Sequence, residues 1–229
     1  MTARLLGSHE ISPEVRHFRF DVPGQELLSF TPGQFVSFNV ELDGKNLTRA
    51  YSIASPPAAN RFDLVLNRVR EGRFSPHLFD LASGAQLDVK GPYGVFVFRK
   101  PIADSIMVAT GTGIGPFRSM LMSQLPHDSE HRFTLIFGVR HEDGVLYREE
   151  FEALARDHPN FTFLPTVSRP GPGWAGLCGR VQPHVMATLG DRRDMDVYIC
   201  GLKEMVDEMR AQLKAAEVDR KHVIFEKYD

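Results

Sequence analysis

Over residues 1–100 the chain alternates apolar and polar positions in short runs. Phe18, Phe20 and Val22 alternate with Arg19 and Asp21, and Phe35-Val36-Ser37-Phe38-Asn39-Val40 offers a second run. Phe62-Asp63-Leu64-Val65-Leu66-Asn67-Arg68-Val69 alternates in the same way. A period of two sets every second side chain on one face of a strand. Turn signals separate the runs at Pro23-Gly24, Pro32-Gly33, Asp43-Gly44 and Pro56-Pro57. Short strands at this spacing predict an antiparallel β-barrel or sandwich, with the barrel preferred. A helical reading would have to absorb too many glycines and prolines.

The texture changes near residue 103. Ser105-Ile106-Met107-Val108-Ala109-Thr110 is a short unbroken apolar run, as expected of a strand buried on both faces. A glycine-rich turn and a helical stretch, Pro116 to Leu125, follow. The pattern repeats with Phe133 to Phe137 as strand, Tyr147 to Asp157 as helix and Phe161 to Leu164 as strand. Asp196 to Cys200 leads into a helix over Leu202 to Ala216, and His222 to Phe225 reads as a last strand. Strands alternating with helices predict right-handed βαβ units and an α/β parallel sheet. The boundary falls near Arg99-Lys100-Pro101, giving a two-domain chain with a β-barrel over 1–100 and an α/β domain over 101–229.

With 229 residues, 42 % of them hydrophobic, the chain can fill two modest cores. A net charge of −2 and no long basic run argue against nucleic-acid binding. No apolar stretch approaches the roughly 20 residues that span a bilayer, and the N-terminus carries no secretory pattern, so no membrane association is expected. Cys178 and Cys200 are the two cysteines, too few for a disulfide framework or an iron–sulfur cluster, and a cytoplasmic location is expected. The nine histidines are scattered without ligand spacing, and no metal site is predicted. Redox chemistry here would need a bound organic cofactor.

Two stretches can carry chemistry. Gly111-Thr112-Gly113-Ile114-Gly115-Pro116 lies between a buried strand and a helix, where glycines admit a pyrophosphate and the helix start supplies N–H donors. Pro116 suits the first helical turn. The stretch lacks the full GxGxxG fingerprint, and a tight turn without ligand is the plainer alternative. Its place in the first βα turn is where dinucleotides bind. In the β half, a strand over Arg49-Ala50-Tyr51-Ser52 puts Arg49 and Tyr51 on one face and Ser52 on the other. A guanidinium can clamp a diphosphate, a phenol ring can stack on a flat heterocycle, and a hydroxyl can bond a ring nitrogen. By themselves the four residues also suit an ordinary strand.

Taken together these stretches resemble the ferredoxin–NADP+ reductase family, whose flavin motif Arg-x-Tyr-Ser is matched by Arg49 to Ser52. In the family's order follow Gly72-Arg73-Phe74-Ser75, Gly91-Pro92-Tyr93-Gly94, the turn Gly111 to Pro116, Tyr147-Arg148-Glu149-Glu150-Phe151 and Cys200-Gly201. The resemblance implies a FAD-binding barrel, a NADP-binding α/β domain and hydride exchange between NADP(H) and FAD. It implies that Arg49 holds the FAD diphosphate, with Ala50 in the same motif, that Tyr51 stacks on the flavin and that Ser52 bonds near its N5. Main-chain groups of Leu66, Asn67 and Arg68 would face the ring edge, and Gly72, Arg73, Phe74 and Ser75 would complete the phosphate cradle. Gly111, Thr112, Gly113, Ile114 and Pro116 would form the nicotinamide-nucleotide turn, with Thr112 touching the flavin from the other domain. Cys200 would lie near nicotinamide C4, with Gly201 allowing close approach; a small buried strand-end residue is the other reading of Cys200.

The same resemblance gives the tail Phe225-Glu226-Lys227-Tyr228 a role over the flavin. Glu226 would relay a proton and Phe225 or Tyr228 would cover a ring face, while a frayed terminus remains the alternative. Ser168 and Arg169 follow a strand where the family reads the adenosine 2′-phosphate, and no acid stands there to repel it, which predicts NADPH. Arg140 and Arg180 could assist, and each also suits a solvated surface charge. The expected partner is a ferredoxin- or flavodoxin-type carrier, served by a monomer. Arg68, Arg70 and Arg73 either steer that carrier or serve the FAD phosphates, with Arg68 and Arg70 expected on one strand face. The alternatives are the NAD(P)H-dependent reductase component of an oxygenase system, a quinone or ferric reductase, or a non-catalytic flavin-binding regulatory subunit.

Overall fold

The computed structural model describes residues 1–228. They form two compact units: Met1–Val97 with Gly115–Ser123, and residues 98–114 with the chain from Gln124 onward.

The first unit contains strands β1 (Thr2–Ser12), β2 (Val15–Asp21), β3 (Phe35–Leu42), β4 (Lys45–Ser52), β5 (Arg61–Asn67) and β6 (Gln86–Tyr93). A short helix α1 (Phe74–Phe79) precedes β6. The strands form one sheet in the order β4-β3-β6-β1-β2-β5, every pair antiparallel. Its two outer strands meet where Ile53 bridges Leu64 and the Ala54 N–H donates to the Asp63 carbonyl at 2.8 Å. This contact closes the sheet, so the barrel predicted from alternation is the one formed. The inward set is aromatic: Phe18, Phe20, Phe38 and Phe62 are fully buried, and Phe20 stacks on Phe62 at 5.3 Å. Each such ring contributes about 1.5–3 kcal/mol by leaving water.

Strand β5 stops at Asn67, short of the predicted Val69. The Arg68 N–H donates instead to the Glu14 carbonyl at 2.7 Å, and the Val69 N–H to Ser75 Oγ at 2.9 Å. Arg68 and Arg70 therefore sit in a turn, and the strand face expected for them does not exist.

The second unit is built on β7 (Ser105–Thr110), β8 (Phe133–Val139), β9 (Phe161–Val167), β10 (Leu177–Cys178), β11 (Asp196–Leu202) and β12 (Val223–Tyr228). After β7 comes helix α2 (Ile114–Gln124), most of which belongs to the first unit, and the second unit's own helices are α3 (Arg148–Asp157), α4 (Val181–Leu189) and α5 (Lys203–Ala215). The sheet order is β10-β9-β8-β7-β11-β12 and all pairs are parallel. On one face Ile106, Val108 and Ile199 pack with Val181 and Val185 of α4 and Val206 and Met209 of α5. On the other, Phe151 of α3 meets Phe163 at 5.2 Å. Cover on both faces explains the unbroken apolar run of β7. From β7 the chain winds out to β10, then returns to β7's other side as β11. The sheet thus reverses between β7 and β11, the point where doubly wound sheets open a ligand crevice beyond their C-terminal ends.

Candidate active site

The ends of β7 and β11 carry the two nucleotide motifs. Gly111–Gly113 makes one tight turn after Thr110, and α2 starts at Ile114, two residues before the predicted Pro116. A Cβ on Gly113 would lie 2.5 Å from the Cys200 carbonyl oxygen, so the turn and the Cys-Gly pair touch backbone to backbone. Gly201 has φ +144, and a Cβ there would overlap the Thr110 hydroxyl oxygen. Only glycine meets both conditions. The Leu202 N–H donates to Thr110 Oγ1 at 3.4 Å. Gly111 is exposed, with nothing opposite its missing side chain, Thr112 is half-buried, and Gly113, Ile114 and Pro116 are buried.

The tail is a strand, not a frayed end, through Tyr228. Parallel register sets Glu226 beside Cys200 and Tyr228 beside Leu202. Burial pushes the Cys200 thiol well above its ordinary range; Glu226 adds to this and a hydrogen bond with Tyr228 opposes it. Cys200, Glu226 and Tyr228 therefore share one sheet face. Phe225 pairs with Ile199 and points to the opposite face, where the Arg210 guanidinium lies 3.9 Å from its ring centre. The two tail aromatics are thus separated.

Beyond β9, Ser168 and Arg169 are exposed. Their N–H groups donate to the carbonyls of Val139 at 2.9 Å and Arg140 at 2.8 Å, which ties this loop to the end of β8. Neither the Arg140 nor the Arg169 guanidinium has an ion-pair partner among the described residues. Arg180 differs, since Glu208 holds it at 3.2 Å.

In the barrel, the register of β4 places Arg49 and Ala50 at exposed positions, Tyr51 half-buried and Ser52 buried. The Tyr51 ring rests on Phe38 and Phe74, at 6.1 and 6.0 Å between centres. Burial pushes its phenol up to about 12, with Arg49 acting in the other direction, so Tyr51 stays neutral. Arg49 folds its Nη1 onto its neighbour's carbonyl, Thr48 O, at 2.8 Å. Phe74 is part of the core, Gly72 is half-buried, and Ser75 Oγ is occupied by the Val69 N–H. Leu66 is buried and Asn67 exposed at the end of β5, an outer strand of the sheet. Arg68, Arg70 and Arg73 pair with Asp80 at 3.5 Å, Glu14 at 3.1 Å and Asp43 at 3.1 Å.

Known proteins can now be set beside this geometry. The family model for an oxidoreductase FAD-binding domain matches residues 2–98, and that for an oxidoreductase NAD-binding domain matches residues 107–211. A ferredoxin–NADP reductase B of Sorangium cellulosum is 41 % identical, over 99 % of this chain and 97 % of that one. The chain belongs to the ferredoxin–NADP reductase family. It is a FAD-dependent oxidoreductase with FAD-binding and NAD(P)-binding domains. The reductase component of a Pseudomonas phenol 2-monooxygenase is also similar, 30 % identical over 96 % of this chain and 63 % of its own length. An Amycolatopsis cytochrome P450 reductase superposes with a TM-score of 0.90 at 25 % identity, over 99 % of this chain and 68 % of that one. A Neisseria gonorrhoeae ferredoxin NADP+ reductase with bound FAD and NADP shares the fold, at TM-score 0.81 and 22 % identity over 99 % and 98 % of the two chains.

Two residues at this junction of strand ends escaped the sequence. Thr110 reads as the end of an apolar run, yet its hydroxyl braces Gly201 and Leu202. Leu202 reads as a helix start, yet it is 63 % exposed directly after the Cys-Gly pair. An exposed apolar side chain has no mark in a linear pattern.

Proposed function

We propose that the chain takes hydride from NADPH onto FAD and passes electrons singly to a ferredoxin- or flavodoxin-type carrier. The observation that carries this reading is the meeting of Gly113 with Cys200-Gly201 at the reversal of the parallel sheet. FAD supplies a ring that accepts a hydride and releases its electrons one at a time. The protein's own part is binding, orientation and proton placement.

Arg49 offers an exposed guanidinium suited to a diphosphate, helped by Arg73 once Asp43, an exposed partner of little energetic weight, is displaced. The neutral Tyr51 ring, braced from below by Phe38 and Phe74, presents a fixed face to a flat heterocycle. Ser52, buried on the other face of β4, is the hydroxyl assigned to a ring nitrogen. Main chain at Leu66, Asn67 and Arg68 and the Gly72–Ser75 turn serve the remaining edges. Gly111, Thr112, Gly113, Ile114 and Pro116 form the wall on which the nicotinamide nucleotide lies. Gly201 keeps that wall shallow, and Leu202 offers an apolar edge. Cys200, held as a neutral thiol, serves as a small contact and not as a nucleophile. Glu226, beside it, is the carboxyl suited to hold a proton. Tyr228 is the tail aromatic on this face, which gives it the covering role in preference to Phe225.

The exposed cations Arg169 and Arg140, with the Ser168 hydroxyl, fit a 2′-phosphate, and this supports NADPH over NADH. Arg169→Ala should raise KM for NADPH by about tenfold, the worth of one charge-assisted contact, and leave NADH almost unchanged. Steady-state kinetics with both nucleotides test this; equal losses would defeat the specificity claim. Identity of 41 % along nearly the whole of a ferredoxin reductase supports a separate carrier over an oxygenase partner, whose reductase components match at 27–30 %.

A further inference from the structure

One buried charged cluster in the first unit is not used by this scheme. The segment Ile53-Ala54-Ser55 follows Ser52 directly and is gripped from two sides. From β5, the Asp63 carbonyl accepts from Ala54 N–H at 2.8 Å, and the Asp63 N–H donates to Ser55 Oγ at 3.0 Å. From α2, Arg118 Nη1 donates to the Ala54 carbonyl at 2.8 Å and Ser119 Oγ to the Ser55 carbonyl at 2.6 Å. Gly115 closes the contact: a Cβ there would come within 3.0 Å of Val65 and 3.6 Å of Ala54. Arg118 is 9 % exposed and Ser119 fully buried.

A buried guanidinium is costly without an anion. Asp63 Oδ2 supplies one 3.8 Å from Arg118 Nη1, and the same oxygen lies 3.3 Å from Nε2 of the buried His17. The Ile53–Leu64 bridge and the Ala54–Asp63 backbone bond already join the barrel's outer strands. The extra grip falls on the three residues next to Ser52, where a polar side chain has to hold one position.

We propose that Arg118, backed by Asp63 and His17, is a positioning residue that fixes Ser52 through the Ala54 carbonyl. The inference rests on the flavin reading of Arg49 to Ser52. Arg118 touches neither FAD nor nucleotide in this scheme. Its loss frees the segment, and a displacement of about 1 Å at a reacting centre slows chemistry by up to about 100-fold.

The test uses the flavin-loaded enzyme and the variants Arg118→Met, Arg118→Lys and Ser119→Ala. Anaerobic reduction by NADPH should slow about 10–100-fold in Arg118→Met, with KM for NADPH within about twofold of wild type. Arg118→Lys should recover part of the rate, because an ammonium can still donate to a carbonyl. Hydrogen exchange should quicken about tenfold in the peptide holding Ile53 to Ser55 and stay unchanged in β2 and β3. If Arg118→Met does not fold, Ser119→Ala should show the same split of rate from KM at smaller amplitude. A wild-type rate in Arg118→Met or Ser119→Ala, or exchange rising evenly across the barrel, overturns the proposal. Failure of the flavin reading is separate: wild-type enzyme would then not be reduced by NADPH at all.

Discussion

Burial holds the Cys200 thiol protonated, with Glu226 reinforcing the effect and Tyr228 opposing it, whereas Cys178 lies exposed. At mildly alkaline pH, iodoacetamide should therefore label one thiol per folded chain, Cys178, and a second only after unfolding. Mass mapping of the labelled peptides checks this; rapid labelling of Cys200 in the folded protein would contradict its neutral role. The same residue marks the limit of reading single positions. Cys200-Gly201 is legible as a pair, but the reason for the glycine is not, because Thr110, whose hydroxyl excludes any side chain there, lies far away in sequence. Arg180 shows the converse. As a free cation it suited a phosphate, and Glu208, contributed by another helix, engages it.

At the scale of elements, runs with a clear period were legible and irregular ones were not. β7 announces itself as an apolar run, and β2, β3 and β5 alternate. β1 does not alternate cleanly because its register shifts between Leu5 and Gly7 and again between Glu10 and Ser12. Helix α4 is short and carries Pro183 within its first turn, which hid the i, i+4, i+8 spacing of its buried Val181, Val185 and Leu189. The connection from α2 to β8 depends on one carboxylate. Asp128 is buried, which pushes its pKa up, but the N–H groups of His131 and Glu130, the His131 ring and Gln124 more than offset this and hold it below the ordinary carboxylate range. A depressed folded pKa adds stability that is complete above the unfolded value of about 4 and lost as pH falls through the folded one. Asp128→Ala should destabilise the protein by about 1–3 kcal/mol at neutral pH. In urea denaturation, the gap from wild type should shrink below about pH 4. A gap that does not change with pH would mean the carboxylate charge is not what matters.

At the scale of the whole molecule, the sequence motifs fall at the ends of β4, β7 and β11, where strand order and register put groups suited to two dinucleotides. Arg68, Arg70 and Arg73 suited either a steering patch or the FAD phosphates; each carries an acidic partner, so the six groups sum to no net charge. Reduction of an acidic carrier protein should consequently slow by no more than about threefold between low and moderate salt. A fall of tenfold or more would mean that the arginines meet the carrier without their partners. The central claim is hydride acceptance from NADPH, and its most direct test is anaerobic mixing of the flavin-loaded protein with NADPH in a stopped-flow spectrometer. The yellow flavin absorbance should bleach within a second, at a rate on the order of 10 s⁻¹, and more slowly with NADH at equal concentration. Absorbance that persists for minutes in the presence of NADPH would contradict the account.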